Sequence, residues 1–197
     1  MTPQAESILE LFRSTGAYMQ GHFRLTSGLH SSEYLQSALV LQHPAAAEKL
    51  GRLLAEAVQE LTPVRIGLVV SPALGGLIVG HEVARALGTR FLFLERLAGS
   101  TGMQLRRGFT VGRGEVTVVI EDVITTGGTT HDVIDVLRES GANVVGAGSI
   151  IDRSGGQADV SVPRVALVTM HVAAHYPEQC PMCIQGIPVV KPGSRPV

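Results

Sequence analysis

The chain has 197 residues, 45% of them apolar and 17% charged, a balance that supports one buried core and excludes a disordered chain. Sixteen Lys and Arg against seventeen Asp and Glu leave a net charge of -1. No broad field therefore draws nucleic acid or an anionic lipid surface, and any bound anion must be held by local groups.

In chain order, a first helix is expected over residues 6–12. Extended segments follow around 22–26 and 34–39, broken by Ser27-Gly28, and the stretch to about residue 40 reads as a small N-terminal hood. Pro44 opens the clearest helical pattern: Leu50, Leu53, Leu54, Ala57, Val58 and Leu61 recur at three- and four-residue steps and give one apolar stripe. Next come an apolar run at 66–70, a Pro/Gly turn, a helix over 77–87 and a second apolar run at 91–94, which together make a β-α-β unit. A second such unit has a strand at 116–120, a Gly/Thr turn, a helix over 129–140 and a strand at 144–151. A last strand is expected at 165–168, then an irregular tail from about residue 170. Strands apolar on both faces belong in a parallel sheet covered by helices, so the fold class is α/β with a central, mainly parallel sheet in a single domain. Ligands in such sheets sit where strands end and helices begin.

The uncharged stretch 66–80 is broken by Pro72, Gly75 and Gly76 and is too short to span a bilayer. Glu6 and Glu10 interrupt any secretory signal, so a cytosolic protein is expected, with no membrane partner. The only lysines are Lys49 and Lys191, and neither follows a glycine. A Walker-type phosphate loop is thereby excluded, and lysine Schiff-base chemistry is not expected.

Residues 118–130 read V-V-I-E-D-V-I-T-T-G-G-T-T. An apolar strand delivers two carboxylates, Glu121 and Asp122, to its end. A turn of Thr125, Thr126, Gly127, Gly128 and Thr129 then opens a helix. Glycines let backbone amides approach an anion closely, threonine hydroxyls add donors, and the amide end of the helix favours a phosphate. The carboxylates suit sugar hydroxyls or a hydrated Mg²⁺ bridging to the ligand.

This run resembles the phosphoribosyl-diphosphate motif of type I phosphoribosyltransferases, and three further segments extend the likeness. Residues 21–34, G-H-F-R-L-T-S-G-L-H-S-S-E-Y, resemble the N-terminal segment of orotate phosphoribosyltransferases. Residues 71–76, S-P-A-L-G-G, resemble their pyrophosphate loop, and residues 151–156, I-D-R-S-G-G, resemble the segment whose arginine holds orotate. The resemblance implies transfer of ribose 5-phosphate from phosphoribosyl diphosphate to orotate, with Mg²⁺ held mainly through substrate and water, by a homodimer. It implies that Thr125, Thr126, Gly127, Gly128 and Thr129 hold the 5-phosphate, and that Glu121 and Asp122 hold the ribose hydroxyls. Ala73, Leu74 and Gly75 would present backbone to the pyrophosphate, with a strained or cis peptide at Ala73-Leu74. Arg96 matches the arginine that opens the family's mobile loop, and residues 98–104 have the composition of a lid. Arg153 would grip the orotate carboxylate with its guanidinium fork, beside Thr125 and Thr26.

The sequence departs from the family pattern in two places. Thr26 stands where many members carry lysine, and the short loop after Arg96 has neither lysine nor histidine. Arg106 or Arg107 is the expected replacement for the loop cation, supplied within the chain or across a dimer interface. A transferase for another base and a non-catalytic regulator that binds the sugar donor are the alternative readings, although regulators of that kind usually add a basic nucleic-acid surface.

Cys180 and Cys183 are the only cysteines, so no disulfide framework is expected. With His171 and His175 they form H-x3-H-x4-C-x2-C, a zinc-like donor set. Histidines four apart on an extended chain lie about 13 Å from one another, too far to share one ion, so zinc remains an alternative only if that segment is not extended. The pair also lacks the strand-to-helix setting of a redox CxxC, so a cysteine turn without special chemistry is expected.

Overall fold

A computed structural model describes residues 2–25, 27–96 and 102–192. The chain forms two compact units: Met1–Val40 with His171–Val197, and Leu41–Met170.

The first unit opens with helix α1 (Pro3–Ser14), longer at both ends than the sequence pattern alone suggests. Thr2 accepts a hydrogen bond from the Ala5 amide at 3.2 Å, and Pro3 is preset for the first turn. Ala5, Ile8, Leu9 and Phe12 make its buried stripe. Strands β1 (Tyr18–Arg24) and β2 (His30–Leu35) pair antiparallel, with a bulge between Gln20 and Phe23. The bulge turns the consecutive residues His22 and Phe23 both inward, where simple alternation would bury only one. The second extended segment ends at Leu35, not residue 39, because Leu35 pairs with Tyr18, the first residue of β1. Ser37–Leu41 instead coil into the short helix α2.

The second unit starts with α3 (Pro44–Glu60), where the apolar stripe predicts it. It continues through β3 (Leu68–Pro72), α4 (Gly76–Leu87), β4 (Arg90–Arg96), β5 (Met103–Leu105), β6 (Val116–Ile124), α5 (Gly128–Glu139), β7 (Asn143–Asp152) and β8 (Arg164–Thr169). The sheet order is β5-β4-β3-β6-β7-β8, parallel throughout except for β5, which runs against β4. This is the expected α/β architecture. Leu68, Val70, Leu92, Leu94 and Val119 pack with Val133, Ile134 and Leu137 of α5. The other face lies under α3 and α4: a Cβ built on Gly148 of β7 would meet Val58 Cγ1 of α3 at 2.6 Å. No helix among the described residues is long and apolar enough to cross a membrane.

The tail returns to the first unit and is less irregular than its composition implies. β9 (Ala174–His175) pairs with β2, a 3-10 turn spans Pro177–Gln179, and α6 (Pro181–Ile184) follows. The Val190 amide donates to the His22 carbonyl at 2.8 Å, and the Arg24 amide donates to the Val190 carbonyl at 2.8 Å.

Candidate active site

The strand order reverses direction between β3 and β6, and the two strands part company there. β3 pairs with β6 only as far as Val70 opposite Val119, whereas β6 keeps pairing with β7 to Ile124 opposite Asp152. Beyond Val119, the β3 side of β6 therefore borders a crevice at the carboxyl ends of the strands, the usual ligand position in open parallel sheets. The β3-α4 turn carries Ala73, Leu74 and Gly75, and the β6-α5 turn carries Thr125, Thr126 and Gly127. The Ala73-Leu74 peptide is cis, as the family resemblance implies.

The two adjacent carboxylates leave β6 on opposite faces, because side chains alternate along a strand. Glu121 is on the α5 face and accepts a hydrogen bond from the buried Thr130 hydroxyl. Asp122 is on the α4 face: a Cβ on Gly75 would lie 2.6 Å from Asp122 Oδ1, so only glycine lets the turn come this close to the carboxylate. Burial pushes the Glu121 carboxyl up to about 7; the Thr130 hydrogen bond opposes this shift and the Asp122 charge adds to it.

Gly127 caps α5 in the left-handed region, at φ 87°, with no side-chain cap on the helix. The first amides of the helix lack intrahelical acceptors, and Thr125, Thr126 and Gly128 are exposed around them while Thr129 is half-buried. A Cβ on Gly127 would also meet Val160 Cγ1 at 2.9 Å and Asp159 O at 3.0 Å. The segment after β7 thus packs directly on this turn. Arg153 belongs to that segment, and its amide donates to the carbonyl of Ile124, the residue before Thr125, at 2.8 Å.

The Arg153 segment is braced from beneath by fully buried Asp152. Asp152 Oδ1 accepts from the Ser154 amide at 2.7 Å and hydroxyl at 2.6 Å, and Oδ2 pairs with the Arg164 guanidinium. Ser154 Oγ in turn accepts from the amides of Gln157 at 2.9 Å and Ala158 at 2.8 Å. Burial pushes the Asp152 carboxyl up, but the Ser154 hydrogen bonds and Arg164 outweigh it and leave the group below the usual carboxylate range. The D-x-S spacing is a readable turn signal. Arg164, on the next strand, carries no sequence mark that ties it to Asp152.

Arg96 ends β4, and its Nη2 lies 3.3 Å from Asp132 Oδ2 on α5, so it stands against the helix that follows the Thr/Gly turn. Arg106 Nη1 and Arg107 Nη2 lie 3.3 Å and 2.9 Å from the two oxygens of Glu95. The hydrogen bond from Arg107 holds the Glu95 carboxyl below its ordinary range, against a smaller opposing effect of burial. The Arg107 guanidinium also lies over the Phe93 ring, 5.5 Å from its centre. Thr26 and residues 98–101 of the expected lid lie outside the described residues. The structure thus gathers Ala73, Leu74, Gly75, Glu121, Asp122, the Thr/Gly turn and Arg153 at one end of the sheet, and seats Arg106 and Arg107 on Glu95.

A family model described as the phosphoribosyl transferase domain matches residues 37–177, a span that contains all of these described residues. The orotate phosphoribosyltransferase of Pelotomaculum thermopropionicum is 52% identical over 192 residues, covering 98% of each chain. The chain belongs to the orotate phosphoribosyltransferase family. The orotate phosphoribosyltransferase of Desulforamulus reducens is 48% identical over 192 residues, again covering 98% of each chain. The solved orotate phosphoribosyltransferase from Aeropyrum pernix is similar at a TM-score of 0.69 and 28% identity, covering 82% of this chain and 93% of that one.

Proposed function

We propose that the chain transfers ribose 5-phosphate from phosphoribosyl diphosphate to orotate, giving orotidine 5'-monophosphate and pyrophosphate for de novo pyrimidine synthesis. The observation that carries this reading is the close approach of Asp122 to Gly75 at the point where β3 and β6 diverge, in front of the Thr/Gly turn. A donor with a phosphate at one end, a ribose in the middle and a diphosphate at the other needs those three surfaces side by side.

In the reaction, an orotate ring nitrogen forms a bond to the anomeric carbon and gives up its proton to the departing pyrophosphate or to water, while the bond from that carbon to the diphosphate oxygen breaks, its electron pair leaving with pyrophosphate. Positive charge develops on the ribose and negative charge on the leaving group. The amides of the turn at Thr125, Thr126, Gly127, Gly128 and Thr129 anchor the 5-phosphate. Glu121 and Asp122 orient the ribose hydroxyls and face its developing charge. Backbone at Ala73, Leu74 and Gly75 receives the pyrophosphate, with Arg96 beyond it, and Arg153 holds the orotate carboxylate next to Thr125.

The donor set fits Mg²⁺: Glu121 and Asp122 are hard oxygen ligands bordering the crevice, reached through water and the ribose hydroxyls. When bound, the ion would neutralise charge on the departing diphosphate. The reading includes a cytosolic homodimer. Two free thiols suit a reducing compartment. Arg106 and Arg107, held by Glu95 in their own chain, are available to a second copy as the cation that the lysine-free loop lacks.

The test is to mix the protein with orotate, phosphoribosyl diphosphate and Mg²⁺ and follow the ultraviolet absorbance of orotate. The expected result is a decrease that requires all three, and a fall of about a hundredfold or more in Asp122→Asn. Turnover of another base with none of orotate would refute the acceptor assignment.

A further inference from the structure

His22, His30, Cys180 and Cys183 bring one nitrogen or sulfur each to a common point, with all four atoms within 4.8 Å of one another. His22 Nε2 lies 2.8 Å from His30 Nδ1, 3.5 Å from Cys180 Sγ and 3.7 Å from Cys183 Sγ, and His30 Nδ1 lies 3.3 Å from Cys183 Sγ. A tetrahedron with Zn–S of about 2.3 Å and Zn–N of about 2.0 Å spaces its donors roughly 3.3 to 3.8 Å apart, and each of the four separations just given lies within about 0.5 Å of that spacing. His22, His30 and Cys180 are 3%, 6% and 0% exposed, and Cys183 stands at the surface.

The surroundings prepare these atoms as ligands. His22 Nδ1 lies 2.7 Å from the Ile187 carbonyl, a partner that can only accept. The ring proton therefore sits on Nδ1, and Nε2 presents its lone pair to the cluster, the arrangement typical of a metal-bound imidazole. The bulge between Gln20 and Phe23 is what turns His22 inward from β1 toward His30 on β2. Cys180 precedes the first turn of α6 and Cys183 lies within it, with the Ile184 amide donating to the Cys180 carbonyl at 3.1 Å and the Gly186 amide to the Cys183 carbonyl at 3.0 Å. This turn carries both sulfurs to one side.

Among its described residues, the tail has few other means of staying on the hairpin. Ile184, Ile187, Val189 and Val190 are exposed, and β9 is two residues long. A short strand pair and a few backbone hydrogen bonds are marginal by themselves. Small units with thin cores are commonly held by a metal or a disulfide.

We propose that His22, His30, Cys180 and Cys183 form a structural zinc site that fastens the C-terminal segment to the β1-β2 hairpin. All four positions are filled by protein, which suits a structural ion and leaves no open position for substrate. Binding of Zn²⁺ displaces the two thiol protons, so the neutral site exchanges two H⁺ for one divalent cation. The sequence pattern pairs the cysteines with His171 and His175, but His171 is exposed and the backbone of His175 pairs with that of His30. The histidines come from the hairpin instead.

The test measures metal in the full chain, purified without added metal or an affinity tag that binds it. Elemental analysis is expected to find about one zinc per chain. After exchange with Co²⁺, the protein should show the visible bands of tetrahedral cobalt and a near-ultraviolet thiolate charge-transfer band. The single variants Cys183→Ser and His30→Ala should lose zinc, whereas His171→Ala and His175→Ala should keep it. A wild-type protein that binds no stoichiometric zinc, gives only octahedral cobalt spectra, or has its two cysteines joined as a disulfide would overturn the proposal. So would loss of zinc from the His171 and His175 variants alone. These readouts do not depend on orotate turnover, so the site and the transfer reaction fail or stand separately.

Discussion

Glu121 is a carboxyl group that folding makes harder to ionise, since it sits half-buried on the α5 face with Asp122 as its neighbour and Thr130 as its donor. Its ordinary value of 4.5 rises to about 7, so the folded chain binds this proton more tightly than the unfolded chain does. Stability from this group is full below about 4.5, is lost as pH rises toward about 7, and changes no further above it. At about 1.4 kcal/mol per unit, the ionised side chain costs about 3 kcal/mol in the ligand-free protein. Glu121→Gln keeps an acceptor for Thr130 and cannot ionise. Denaturant unfolding should show it about 3 kcal/mol more stable than the parent at pH 8 and nearly equal to it at pH 4.5 and below, while turnover falls. Equal stability at both pH values would contradict the origin given for the shift. A destabilised carboxylate at the proposed ribose site fits the usual trade between stability and activity.

At the level of elements, the turn that opens α5 and the segment after β7 pack as one surface. Gly127 is fixed by its positive φ and by the nearness of Val160 and Asp159. Gly127→Ala should cost about 1–2 kcal/mol from the left-handed backbone alone, lower the melting temperature, and raise KM for phosphoribosyl diphosphate; unchanged melting and KM would show that the turn is not the donor's anchor. Ser154 does two jobs, donating to buried Asp152 and accepting from Gln157 and Ala158. Ser154→Ala should destabilise the protein by about 1–3 kcal/mol. It should also raise KM for orotate more than KM for the sugar donor, because Arg153 rides on that turn. Arg153→Ala should produce the same split in KM with a smaller loss of stability. An equal rise in both KM values in Arg153→Ala would remove this arginine from the acceptor site. Both β-α-β units and the Thr/Gly turn were legible because contiguous apolar runs and glycine pairs are local signals. The opposite facing of Glu121 and Asp122 follows from strand period two, yet their partners, Thr130 and Gly75, become visible only when the helices are placed on the sheet.

Across the whole molecule, what the sequence left hidden are contacts between residues far apart in the chain. Arg164 reaches Asp152 from the next strand, and Cys180 and Cys183 meet histidines that lie some 150 positions earlier. Spacing within one segment could not reveal either, and the bulge that turns His22 inward leaves no composition signal. The proposed sharing of arginines between copies belongs to this scale. Arg106→Ala with Arg107→Ala should abolish most turnover, and mixing that variant with inactive Asp122→Asn should restore part of it if the cation crosses a dimer interface; full activity of the double variant would end the idea. The central claim is that the amides around Gly127 hold the 5-phosphate while Asp122 faces the ribose. Its most direct measurement is a crystal structure of the protein soaked with phosphoribosyl diphosphate and Mg²⁺. The 5-phosphate should lie against residues 125–129, with the ribose hydroxyls toward Glu121 and Asp122. Density for the donor elsewhere on the chain, with that turn unchanged, would contradict it.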